Sequence, residues 1–159
     1  GRTRIPALKK RNADGNITEA QDNSEKSRIL HKMFFYDQPT DTGIDENFQY
    51  QEPAFQFRYI SDNQIKRVAK QLNPYKAPGL NDISNAVLTH CSEQLAPYLG
   101  PIYRATFSLE HYPDKWKRYE TVVLRKPGKP DYKEPSAYRP IALLDVIAKL
   151  LSACVKETL

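Results

Sequence analysis

Cysteine is scarce. Only Cys91 and Cys154 occur in 159 residues, far apart in the chain, so no disulfide framework is expected and a reducing compartment suits them. No apolar run approaches the roughly 18 residues of a membrane span, and no apolar segment follows the basic start from Gly1 to Arg11. A membrane partner is therefore not expected. The chain has no Walker-type glycine loop, no Gly-x-Ser-x-Gly, no His-Glu-x-x-His and no Cys-x-x-Cys. That leaves no residue to nominate as catalytic and none as a metal ligand. His90-Cys91 is the one His/Cys neighbour pair, and adjacent helical residues diverge by about 100°, so it reads as a helix end rather than a chelate. Pro130-Asp131 with Glu134 suggests a nuclease carboxylate cluster, but Pro135-Ser136 follows where a lysine is wanted, and that reading is set aside. An initiator Met is missing and Asp145 to Leu159 reads as a helix still running, so a piece of something longer is expected.

Against these absences stand 40% apolar and 11% aromatic residues, too many for a wholly disordered chain. Charge is divided into blocks that the net of +5 conceals. Residues 1–11 hold five cations and no acid, 12–62 hold four cations and ten acids, and 104–139 hold nine cations and five acids. A basic arm and a basic second half thus flank an acidic stretch, a pattern that suits contact with a polyanion.

Asp14-Gly15-Asn16 marks a turn, and Asp22 to Tyr36 reads as a helix capped at Asn23 or Ser24. Asp37 to Phe57 is polar and aperiodic, a long loop. Ser61-x-x-Gln64 is a capping box opening a short helix that Pro74 and Pro78-Gly79 end. Ile83 to Cys91 predicts another helix, and Glu93 to Glu110 a third that Pro97 and Gly100-Pro101 should break or kink near its start. Glu120 to Lys126 is the best strand, with Tyr138 to Leu144 its partner across a Pro/Gly/Lys loop. Asp145 then caps a last helix striped with Ile147, Leu150, Leu151, Cys154 and Val155. The expected fold is α+β, mostly helical with one β-hairpin.

That hairpin concentrates cations. Arg125 and Lys126 end the first strand, Lys129 sits in the loop, and Arg139 precedes Pro140 on the return. Alternation lets only one of Arg125 and Lys126 share a face with Arg139. A guanidinium for bidentate phosphate contact beside an ammonium fits a triphosphate or a nucleic-acid backbone. The same residues also describe a solvated hairpin tip protected by Lys and Pro. Pro127-x-x-Pro130 further matches a polyproline peptide for an SH3-type groove.

Three blocks in order carry a resemblance. They are Lys76-Ala77-Pro78-Gly79 with the helix that follows; Tyr112-Pro113-Asp114-Lys115-Trp116-Lys117 with Val122 to Pro130; and Tyr138-Arg139-Pro140-Ile141-Ala142-Leu143-Leu144 running to Lys149-Leu150-Leu151. Together they resemble the reverse transcriptases of non-LTR (LINE-type) retrotransposons, with wording closest to fungal elements, over about residues 71–159. The resemblance implies a right-hand polymerase, with a helical and loop spacer at 1–60 and a partial fingers region at 61–159 that stops before the palm. It implies that Lys126 and Arg139 contact the incoming triphosphate, with Arg125 and Lys129 as neighbours for template or phosphate. One departure is Leu80-Asn81-Asp82-Ile83 where the family reads Pro-Asp-Gly-Ile; it removes a positive-φ glycine, for which Asn81 or Asp82 is the available stand-in.

The function so implied is that of a fragment of an RNA-directed DNA polymerase, inactive alone because the palm aspartates lie outside it. Mg²⁺ and dNTP belong to the full-length parent, and the fragment needs no cofactor. RNA template and DNA primer are its partners, weakly held, along with the missing palm. Without that palm the last helix should expose its apolar stripe and drive self-association. Residence is nuclear or cytoplasmic, the family favouring the nucleus. The rival readings are a stand-alone helical interaction module and a decayed remnant with no present function.

Overall fold

The computed structural model describes residues 4–37, 39–41, 43, 45, 47–49, 51–52 and 58–158. Parts of the predicted basic arm and of the predicted loop at 37–57 lie outside them. Among the described residues the chain is α+β, with five α-helices and two small antiparallel hairpins where one hairpin was expected. By its contacts the chain groups into two units, Gly1–Tyr50 with Val122–Ile141, and Gln51–Thr121 with Ala142–Leu159.

The first unit begins with the unexpected hairpin, β1 (Leu8–Arg11) and β2 (Ile17–Ala20), in register from Leu8 opposite Ala20 to Arg11 opposite Ile17. The Asp14-Gly15-Asn16 turn closes it. Asn12 N–H donates to Asn16 O at 2.9 Å, and Gly15 takes a φ of +84° that glycine adopts at no steric cost. The last four residues of the basic arm are therefore a strand. Its one fully apolar inward residue, Leu8, is too little signal to read from the sequence. Helix α1 (Asn23–Phe34) follows, capped by Asp22, one residue earlier than expected, whose carboxylate accepts from the N–H groups of Ser24 and Glu25. Leu8, Leu30, Ala137 and Tyr138 form the buried core of this unit, flanked by Ile29, Phe34, Val123 and Tyr132.

The second unit is helical. Helix α2 (Asp62–Gln71) is capped by Ser61, whose Oγ accepts from Gln64 N–H at 3.1 Å. Short α3 (Asn85–His90) leads into α4 (Ser92–Ser108), which runs unbroken through Pro97 and Pro101. The two prolines are four residues apart on the exposed side, so water can solvate the carbonyls they leave without donors. Helix α5 (Val146–Thr158) starts at Asp145, whose carboxylate accepts from Ile147 N–H at 2.8 Å.

The apolar stripe of α5 is not exposed. Leu150 and Cys154 are fully buried and Leu151 nearly so, because α2 and α4 pack over them with Ile65, Val68, Leu99 and Tyr103. Ile147 and Val155 are partly buried against the same core. The chain thus supplies from its own upstream helices the cover that was expected from a missing domain. Tyr103 donates its hydroxyl to Ile147 O at 2.7 Å, and Trp116 stacks edge-on to both Tyr103 and Tyr112. Among the described residues no helix is long and apolar enough to cross a membrane.

Candidate phosphate-binding hairpin

Strands β3 (Tyr119–Arg125) and β4 (Tyr138–Leu144) are paired, as the run of Thr121 to Leu124 and the Tyr-Arg-Pro-Ile-Ala-Leu-Leu segment predicted. Lys126 N–H donates to Ala137 O at 2.8 Å, which sets those two residues opposite each other. The two-residue period of strands then puts Lys126, Leu124 and Arg139 on one face, and Arg125, Val123 and Tyr138 on the other. Burial follows the same division. Val123 and Tyr138 pack into the core of the first unit, while Leu124 and Arg139 are exposed. Lys126 and Arg139 are diagonal neighbours, a relationship that spaces their backbones by roughly 7–8 Å.

The four nominated cations have different fates. Arg125 is committed to structure: its guanidinium donates to Arg4 O at 2.7 Å and lies over the Tyr132 ring, 5.1 Å from its centroid. Lys126 folds its ammonium back to Ser136 O at 3.0 Å. Lys129 and Arg139 are exposed and, among the described residues, have no ion-pair or side-chain hydrogen-bond partner. The geometry thus brings Lys126 and Arg139 onto one face, turns Arg125 inward, and leaves Lys129 at the tip.

The loop that presents them is tied down. Tyr132 donates its hydroxyl to Lys126 O at 3.1 Å, and Tyr138 donates to Tyr132 O at 2.8 Å. Burial raises the Tyr138 hydroxyl above the usual phenol range, so it stays a donor at ordinary pH. Gly128 takes a φ of +72° after Pro127, the shape of a type II turn. Pro127 to Pro130 is therefore a tight turn, and a polyproline helix is incompatible with that glycine.

One arrangement escaped the sequence. Asp131 and Glu134 both accept from the Lys9 ammonium, each at 2.8 Å, and Lys9 N–H donates to Lys133 O at 2.9 Å. Lys9 holds the Asp131 carboxyl below the usual carboxylate range, and the two carboxylates raise the Lys9 ammonium well above its ordinary value. The Pro-Asp-x-x-Glu spacing is thus an anchor for β1. Its signal was present in the loop, but nothing near Lys9 announces the partner. At the other nominated pair, His90 donates its Nδ1–H to Ala86 O at 2.8 Å and ends α3, as a helix-end role requires. Among the described residues no group of three or more His, Cys, Asp or Glu side chains is placed to hold a metal ion.

No protein-family model matches the chain. Curated relatives do match. A probable RNA-directed DNA polymerase from transposon BS of Drosophila melanogaster is 28% identical over 137 residues, 86% of this chain and 15% of the relative. A probable RNA-directed DNA polymerase from transposon X-element of the same fly is 34% identical over 92 residues, 58% of this chain and 10% of the relative. The RNA-directed DNA polymerase from its mobile element jockey is 24% identical over 115 residues, 70% of this chain and 12% of the relative. The chain spans between a tenth and a sixth of these relatives.

Proposed function

We propose that this chain, a relative of the RNA-directed DNA polymerases of non-LTR retrotransposons, forms a phosphate-contacting part of such an enzyme, with Lys126 and Arg139 as its contacts. The kinship itself is plain from the relatives, which are insect elements where fungal wording was expected. The partial-fingers assignment, the palm as neighbour, and Mg²⁺, dNTP, RNA template and DNA primer as the ligands of the whole enzyme are our reading of that kinship, as is residence in the nucleus.

One observation carries the proposal. Arg139 is exposed and unpartnered among the described residues, on the same hairpin face as Lys126, whose single side-chain contact is a backbone carbonyl at 3.0 Å. A planar guanidinium free to donate to two phosphate oxygens beside a point-charge ammonium is a suitable pair for a polyphosphate or phosphodiester. Arg125, which the resemblance made a neighbour, is better explained as a support, because its guanidinium already donates to Arg4 O and lies over the Tyr132 ring. Lys129 at the turn remains available for a backbone phosphate.

Alone, the chain is expected to bind nucleic acid weakly and with strong salt dependence, because it offers few phosphate contacts. It is also expected to be inactive in primer extension; a Mg²⁺-dependent product from the purified chain would overturn that part. The contact assignment is tested with Lys126→Ala combined with Arg139→Ala in fluorescence anisotropy against single-stranded RNA and dNTP at low salt. Affinity should fall about tenfold, and the slope of log affinity against log salt should drop by about one to two units. Unchanged affinity in the doubly substituted chain would refute the role given to these two residues.

A further inference from the structure

The first unit carries a cleft of about 600 Å³ that the hairpin assignment does not use. It lies among β1, β2, α1 and the turn at Glu134 to Ser136. Its apolar lining is aliphatic and thioether: Ile17, which is 55% exposed, with Ile29, Met33 and Pro135. Around that lining stand five cations and two carboxylates. Both carboxylates are already spoken for, Glu25 by Lys10 at 3.1 Å and Glu134 by Lys9 at 2.8 Å. Three cations remain, Arg11 at the end of β1 and Arg28 and Lys32 one turn apart on α1. Among the described residues their side chains have no hydrogen-bond or ion-pair partner.

We propose that this cleft is a docking site for an acidic peptide segment of a partner protein, one in which Asp or Glu alternates with large aliphatic side chains. The charge argument is direct. Three unneutralised cations ring a surface whose own acids are satisfied, so an incoming carboxylate meets attraction and no bare like charge. The apolar argument selects among polyanions. No aromatic side chain lines the cleft, whereas sites for single-stranded nucleic acid combine cationic grooves with aromatic platforms on which bases stack. Aliphatic and methionine side chains instead offer an adaptable surface to leucine- or isoleucine-sized anchors. Spacing agrees, since Arg28 with Lys32 and Ile29 with Met33 are two adjacent i, i+4 rows, one charged and one apolar, running along α1. The inference shares none of the four hairpin cations; the two sites adjoin only at Ser136, whose carbonyl accepts from Lys126 and which lines the cleft.

The test is fluorescence anisotropy of the full chain with a short labelled peptide alternating Glu and Leu. Binding is expected in the micromolar range, about tenfold weaker in Arg28→Glu/Lys32→Glu and about tenfold weaker when the peptide's leucines become serines. Both substituted positions are exposed, and an unchanged far-UV spectrum checks that the fold survives. Lys126→Ala/Arg139→Ala should leave peptide affinity unchanged, which separates failure here from failure of the hairpin assignment. A single-stranded RNA should neither bind more tightly than the peptide nor displace it. Absence of peptide binding, or peptide binding indifferent to Arg28→Glu/Lys32→Glu, overturns the proposal. Tighter RNA binding that is lost in that variant also overturns it and makes the cleft a nucleic-acid site.

Discussion

Gly79 lies against the backbone carbonyl of Leu144, so close that a Cβ would overlap that carbonyl and sit 2.7 Å from the Asp145 nitrogen. Two of the blocks that carried the family resemblance therefore meet in space: Lys-Ala-Pro-Gly packs on the junction between β4 and α5. Lys149 reinforces the junction by donating to Ala77 O at 3.0 Å, and Asn81 donates to the Asp145 carboxylate. The glycine is required by proximity, since its neighbour is rigid backbone and cannot swing aside. Gly79→Ala should therefore destabilise the chain by about 2–3 kcal/mol in urea unfolding, the range of overpacking in a site that cannot relax. A change within about 0.5 kcal/mol would mean that the junction is looser than the contact implies.

Asp82 predicts the opposite sign a few residues on. It stands where the family has glycine, and it adopts a φ of +55°, closing a turn in which its N–H donates to Gly79 O at 3.1 Å. Left-handed backbone is tolerated by aspartate but costs more than in glycine. Asp82→Gly should raise stability by up to about 1 kcal/mol, the gain limited by the greater freedom glycine has when unfolded. A loss of stability would show that the Asp82 side chain does something that the turn alone does not require.

These positions also show which parts of the molecule local sequence can reveal. Tyr138 to Leu144, the Ser61 cap and the Asp145 cap are legible because their causes lie within a few residues: β-propensity, a hydroxyl three residues before an N–H, a carboxylate two residues before another. The β1 strand is not legible, because Leu8 is its one buried apolar residue although its partner β2 is near in the chain, and the carboxylates that anchor its Lys9, Asp131 and Glu134, lie 122 and 125 positions away. Nor is the continuity of α4, which depends on Pro97 and Pro101 both facing water. Of the candidate site, the shared face of Lys126 and Arg139 follows from strand alternation, whereas the diversion of Arg125 to Arg4 O and Tyr132 depends on residues far off in the chain. The stripe on α5 was readable as a stripe; what covers it was not.

That cover can be tested through the two thiols. Cys154 belongs to the stripe and is fully buried beneath α2 and α4, while Cys91 is exposed between α3 and α4. Burial, with the Glu157 carboxylate adding to it, pushes the Cys154 thiol up to about 11, so the nucleophilic thiolate is rare at neutral pH even where reagent can reach it. With Ellman's reagent at pH 8, one thiol per chain should react promptly, and the second only as denaturant unfolds the second unit. Cys91→Ser should abolish the prompt phase and Cys154→Ala should leave it intact. Two prompt thiols in the unmodified chain would mean that the stripe is open. The expectation of an exposed apolar face, and of self-association through it, would then return in place of the packed core described here.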